Sequence, residues 1–482
     1  MNGLALLTIV GCLLGSELVG SVPASDWLTR LIAVLLTAML VPGVAFFQTS
    51  VLIQKLESER FASQTQNWLC HRLTVVHAVV WMAASAAIIW GLRWPDLVRG
   101  NWRLDRWPLL DEAIILSPIL ISMTASWAIF YDLQQRLSRR RYSNSDLSDR
   151  HASDGSSRLE FVSLRFRLFF LMALIPVGAG VLMRDLSQAA ARSGFPMVSS
   201  AEASSLVGIA GLSVLMLGFP FLMLAVWKSS ALSSPLAESL DRLSRQHRLN
   251  LFAVRMWHTN HQLINAAVVG FAPFTRIIFL SDGLLQQFDD QEVHAIFRHE
   301  AGHIRRHHFL IRLLLLVAPI LIFASCGMKS ESLMPGMNST NGLQQNLVQF
   351  FDVTPGYGIV MILLAALYYW FVMRWVSHQF EHDADLYAME AASGTGTGRL
   401  DSQQSVAILS ALRRLASVSP AQLNRGTWLH PSLQQRIDFV NRISQLPEQG
   451  IRFRQNLMWN LAAVALVLVA FALAVHAYSR VG

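Results

Sequence analysis

Residues Asp289–His308 read DDQEVHAIFRHEAGHIRRHH, and His299-Glu300-Ala301-Gly302-His303 within them spells H-E-x-x-H. Two histidines four apart on a helix are rotated by roughly 40° about its axis, so both imidazoles look out of one face. One divalent metal can take both nitrogens, with Glu300 beside it as general base. The flanks predict the helix. Asp289 caps its first turn and Glu292 reaches back to complete a capping box. Val293, Ile296, Phe297 and Ile304 recur at helical spacing and give it an apolar side, and no proline interrupts it. Three fixed letters recur by chance, so the rest of the chain has to supply what a metal site also needs.

Of 482 residues, 53% are hydrophobic and only 15% charged. Soluble domains carry about 25% charged residues, so the balance is that of a polytopic, mainly α membrane protein. The net charge of +8 then reads as a topology signal rather than a nucleic-acid footprint. Cys12, Cys70 and Cys326 lie in or beside apolar runs without ligand spacing, which excludes a disulfide scaffold and cysteine catalysis.

A bilayer core about 30 Å thick takes about 20 apolar helical residues. Runs of that kind fall near 2–20, 28–48, 72–92, 110–131, 161–183, 204–227, 309–327, 356–376 and 457–478, predicting about nine spans. The first contains Glu17; a cleaved signal peptide is its alternative reading, against which stands the lack of preceding basic residues. With the N-terminus inside, 29 Lys and Arg fall on the inner segments and 8 on the outer ones. That places the H-E-x-x-H helix on the cytoplasmic side. The domain reading is a four-span module at 1–135, a polar Ser/Arg/Asp-rich linker at 136–160, a peptidase unit at 161–456 and a last span at 457–482. Within the unit, Leu251–Trp257, Ala266–Gly270 and Arg276–Leu280 read as strands and Leu284–Phe288 as a helical piece. They make a small α+β part, split by two spans and resuming at Trp375.

A catalytic zinc site needs a third protein ligand. The pattern H-E-x-x-H-x-x-G-x-x-H is excluded, because Arg306 and Phe309 stand at its last two fixed positions. A Glu on a second helix is the other solution. Glu381 and Asp385 are i, i+4 and face one way, so Glu381 can coordinate while Asp385 accepts a hydrogen bond from a ligand imidazole. His382 reads as an exposed helix residue, and His307 as an interfacial anchor before the seventh span.

H-E-x-G-H-x-x-x-x-H at 299–308, F-E-x-x-A-D at 380–385 and His430-Pro431-Ser432-Leu433-Gln434-Gln435-Arg436-Ile437 together resemble the membrane metallopeptidase family of HtpX and the type I CAAX prenyl proteases, of gluzincin type. The resemblance covers roughly 160–456. It implies a zinc endopeptidase with one ion per chain, held by His299, His303 and Glu381, with Glu300 as base and Asp385 behind a ligand. It places His430 and Arg436 near the site. His430 is read either as a catalytic contact to the substrate or the transition-state oxyanion or as no more than a helix start, Asn265 as a residue of the strand edge that binds substrate, and Arg436 as either substrate-binding or structural. His308 matches a family position without a ligand slot. The family commonly has Ser-Arg ahead of its ligand Glu, where this chain has Ser377-His378.

The implied substrates are membrane-associated, misfolded or prenylated proteins, with the bilayer as the other partner, no nucleic acid and no indication of oligomeric state. The expected location is a bacterial inner membrane. Two rival classes use the same pentapeptide: a metallopeptidase-like sensor and a non-catalytic scaffold. A sensor needs a further ligand-binding domain, and only Tyr478–Gly482 follow the last span.

Overall fold

The computed structural model describes residues 2–19, 25–58, 63–143, 157–192, 201–327, 363–390 and 400–481. By internal packing the chain divides into two units, Met1–Lys228 and Ser229–Gly482.

The first unit is helical: α1 (Asn2–Val19), α2 (Trp27–Ser58), α3 (Ser63–Ala86), α4 (Leu110–Ser143), α5 (Arg158–Phe166), α6 (Met172–Arg192) and α7 (Ala201–Val226). Trp81, Trp127, Phe161 and Phe170 centre its core. Glu17, the residue that weakens the first predicted span, is not left alone in apolar surroundings: its carboxylate meets Arg99 at 2.8 Å and Arg184 at 3.0 Å. A paired carboxylate is tolerated where a lone one is not. The polar segment 136–160 lies largely outside the described residues. Its described ends are the last helical turns of α4 and the capping box of Ser157 and Glu160 that starts α5.

Nine spans are predicted; five described helices are long and apolar enough to cross a membrane. They cover Trp27–Lys55, Arg72–Gly91, Leu110–Arg136, Arg158–Leu186 and Glu448–Ala474. Apolar stretches at Thr8–Glu17, Ser213–Val226 and His308–Pro319, within α1, α7 and α11, occupy the first, sixth and seventh predicted positions. The eighth begins outside the described residues and is helical from residue 363. Along the last helix Leu466 and Val467 are 70% and 66% exposed. Rows of outward-facing leucine and valine on so long a helix fit lipid rather than water, and the chain is an integral membrane protein.

The second unit holds the sheet. Strands β1 (Ser229–Ser230), β2 (Ala253–Trp257), β3 (Ala266–Val269) and β4 (Ile277–Ser281) lie in the order β1-β2-β4-β3, with β2 and β4 parallel and the outer pairs antiparallel. The three strands predicted from sequence therefore form within two residues of their expected limits. β4 is buried along its whole length, whereas β3 is an edge strand. The Ser281 N–H donates to Asn265 C=O at 3.0 Å, so those two residues form a hydrogen-bonded pair. Alternation then makes 267 with 279 and 269 with 277 the next such pairs, and turns the peptide groups of Ala266 and Val268 to the free edge.

Helices α8 (Ser234–Gln246), α9 (Asp282–Gln287), α10 (Asp290–Arg305), α11 (His308–Gly327), α12 (Arg374–Met389), α13 (Ser402–Val418), α14 (Leu433–Gln445) and α15 (Glu448–Val481) complete the unit. The predicted capping box is present: Asp289 accepts from Glu292 N–H and Glu292 accepts from Asp289 N–H. Glu292 also accepts from Ser410 and pairs with Arg414 at 2.7 Å, which ties the start of α10 to α13. At the other end two residues, Arg306 and His307, separate α10 from α11, and His307 lies in the left-handed region with φ 55°. Gly302 lets α10 and α12 approach closely, since a Cβ there would stand 3.1 Å from the Ala384 Cα and 3.1 Å from the Tyr387 Cβ.

Candidate active site

Val293, Phe297, Ala301 and Ile304 bury one side of α10 beneath the sheet. The adjoining side turns His299 and His303 toward α12, which delivers Glu381. His299 Nε2 lies 3.3 Å from His303 Nε2, 3.6 Å from Glu381 Oε2, and His303 Nε2 lies 3.6 Å from Glu381 Oε1. These three residues are the group among the described residues that could hold a metal ion.

Each ligand is oriented from behind. Asp385 Oδ1 sits 2.9 Å from His299 Nδ1, and Arg436 from α14 grips both oxygens of Asp385 at 2.9 and 2.6 Å. A proton on Nδ1 donated to Asp385 leaves Nε2 with its lone pair toward the cluster. His303 Nδ1 meets His308 Nδ1 at 2.9 Å, and His308 Nε2 meets Asp383 at 3.1 Å. Around Glu381 stand His430 Nδ1 at 3.0 Å, with Arg436 and Arg312 each at 3.6 Å.

The protonation states follow from these neighbours. Burial favours the neutral acid at Glu381, but its hydrogen bonds from His299 and His430 outweigh that and hold it ionised, well below the usual carboxylate range. Burial, aided by the nearby His299 and Arg312, keeps His303 neutral. Burial and Arg436 oppose charge on His299, yet its bonds to Asp385 and Glu381 raise it to about 9. Asp385 is lowered to about 2, because Arg436 and His299 overcome its burial. Burial pushes Glu300 up, with the Glu381 charge adding to it, which raises its proton affinity toward that of a working base.

All of these groups open on one cleft of about 670 Å³. Its lining includes His299, Glu300, His303, Glu381, His430 and Arg436, together with Asn265–Val268 along the free edge of β3. The structure thus brings His299, Glu300, His303, Glu381, His430, Arg436 and Asn265 to one cleft, with Asp385 directly behind it.

Residues 229–444 match the sequence profile of Peptidase family M48. This segment belongs to that family. The M48 assignment makes the chain a metalloprotease, whose substrates are proteins or peptides. Among solved structures, the chain is similar to the crystal structure of S. mikatae Ste24p at 16% identity, covering 87% of this chain and 99% of that one, with a TM-score of 0.45. No curated protein sequence matches it significantly.

One residue of the M48 segment differs from its sequence reading, and a second shows what a departure from the family pattern does. His382 is not an exposed helix residue: its ring lies 4.6 Å from Phe439 and 6.5 Å from Phe453, because α14 and α15 pack on that side of α12. His378, where the family commonly has arginine, meets the Thr427 carbonyl at 3.0 Å and so ties α12 to the loop that carries His430. Asp383 and Arg454 were missed altogether, and His308 was noted only as a family position without a role. The i, i+4 spacing singles out Glu381 and Asp385, whereas Asp383 lies two residues from Glu381 and so on the opposite face of α12. Only the recurrence of His at 308 carried a signal, and with the ligand set complete it pointed nowhere.

Proposed function

We propose that the chain is a zinc-dependent integral-membrane endopeptidase of membrane-associated, misfolded or prenylated proteins, working on the cytoplasmic side. The observation that carries the metal is the ligand spacing. Donors 2.0–2.1 Å from a tetrahedral ion lie roughly 3.3–3.5 Å apart, and the three donor separations here are 3.3, 3.6 and 3.6 Å. Two nitrogens and one carboxylate oxygen, with the fourth side open to the cleft, suit a catalytic zinc.

Bound there, zinc would supply Lewis-acid polarisation and a water acidified to near-neutral pKa. The chain's own groups do the remainder. Glu300 takes the proton of the attacking water and returns it to the leaving nitrogen. The free peptide groups of Ala266 and Val268 hold substrate as an added strand, with Asn265 at the end of that edge. His430, half exposed and already in contact with Glu381, is placed to meet the oxyanion, and Arg436 keeps Glu381 and Asp385 charged. Cytoplasmic placement is supported by the Lys and Arg distribution.

Glu300→Gln tests the reading. Purified in detergent, it is expected to cleave a quenched peptide or casein about 10²–10⁴-fold more slowly while still binding zinc. Undiminished cleavage removes Glu300 as the base.

A further inference from the structure

The two metal-facing imidazoles are supported in different ways. His299 reaches a carboxylate directly. His303 reaches one through an intermediate: His308, 2% exposed, links His303 to Asp383, which is 4% exposed. Asp383 is in turn held by Arg454, Nε to Oδ1 at 2.8 Å, and Arg454 also binds Glu390. The His308 ring is stacked on Phe380, centroids 4.2 Å apart and planes within 7°, so it cannot swing out of line.

Proton placement along this chain has one consistent solution. With Nε2 of His303 given to the cluster, its proton sits on Nδ1 and is donated to His308 Nδ1. A neutral His308 can accept there only with its own proton on Nε2, where Asp383 accepts it. Replacing Asp383 by a neutral group frees His308 to take the other tautomer, which sets two N–H groups against each other at 2.9 Å.

We infer that His308, Asp383 and Arg454 form a positioning chain for His303, and that through Arg454 the C-terminal apolar helix α15 is part of what holds the metal; this rests on the metal reading above. Neither Asp383 nor Arg454 lines the cleft, and His308 at its wall is 2% exposed. Arg454 lies within Glu448–Ala474, a stretch long and apolar enough to cross the membrane. Arg454 thus joins α15 to the metal cluster by a polar link, beside the Phe453 and Leu457 contacts that pack α15 on α12.

The full chain in detergent, stripped with a chelator, gives the test. Zinc affinity is measured by competition with a chromophoric chelator, and geometry by the visible absorption of the cobalt form. Asp383→Asn is expected to bind zinc about 10–100-fold more weakly with an altered cobalt spectrum, the usual effect of losing a partner behind a ligand. Arg454→Met loses part of that affinity and Arg454→Lys recovers some of it. Arg414→Met, which breaks an ion pair at the start of α10 and not this chain, keeps affinity within about twofold and the spectrum unchanged. Wild-type affinity and spectrum in both Asp383→Asn and Arg454→Met overturn the inference. So does an equal loss in Arg414→Met, which marks general destabilisation. A wild-type protein that binds neither zinc nor cobalt overturns the metal reading itself.

Discussion

Arg436 closes on Asp385 with two hydrogen bonds, Nε to Oδ2 at 2.9 Å and Nη2 to Oδ1 at 2.6 Å, while the Asp385 side chain has no exposed surface. Removing one partner of such a pair strands the other charge in a low dielectric. Arg436→Met is expected to destabilise the fold by about 3–5 kcal/mol. Arg436→Lys, which keeps the charge but loses the planar fork, should cost distinctly less. Thermal unfolding of the two proteins in detergent separates them; equal melting temperatures would show that the fork contributes nothing.

Metal uptake should release a proton. Without metal, His299 is raised to about 9, so its protonation stabilises the fold fully below the ordinary histidine range, and that stability is lost as pH rises through about 9. A cation at Nε2 displaces that proton. Calorimetric zinc titrations at pH 7.5, run in buffers of different ionisation heat, are expected to show the His299 proton released on top of that of the zinc-bound water, the total falling toward about one above pH 9. Release that is constant across this range would contradict the assignment to His299.

The free edge of β3 makes a prediction that depends on strand parity. Val268 turns its N–H toward the cleft, while that of Ala267 belongs to the pairing with Phe279. Val268→Pro should lower kcat/KM by about 2–10-fold, the loss of one hydrogen bond. Ala267→Pro should destabilise the sheet itself. Melting curves beside steady-state kinetics distinguish the two, and similar melting losses in both would mean that the parity is wrong.

Gly302 sets the separation of the ligand helices. A valine there would drive two methyl groups at the Ala384 backbone and the Tyr387 ring. Overpacking of this sort costs about 1–3 kcal/mol, and here it would part α10 from α12. Gly302→Val should therefore lose zinc affinity as well as stability, whereas Asp289→Ala, which removes only the helix cap, should lose about 1 kcal/mol of stability with zinc affinity kept.

Much of this site was legible because short-range geometry decides it. Asp289 and Glu292 announce the start of α10, period-two runs mark the strands, and the spacing of Glu381 and Asp385 places both on one face. Long-range pairings were not legible. Asp383 finds His308 across two helices, and Arg454 finds Asp383 from 71 residues away, distances over which no periodicity carries information. His382 failed for the same reason, since its cover comes from Phe439 and Phe453.

His307 gives the catalytic apparatus a built-in ruler. With only Arg306 and His307 between α10 and α11, and with His303 in contact with the first residue of α11, the proposed metal site keeps a fixed offset from that apolar helix. A substrate anchored beside α11, as proposed above, would present its extended residues to that offset at about 3.3 Å each. Bonds farther along its chain come within reach only if the chain loops back.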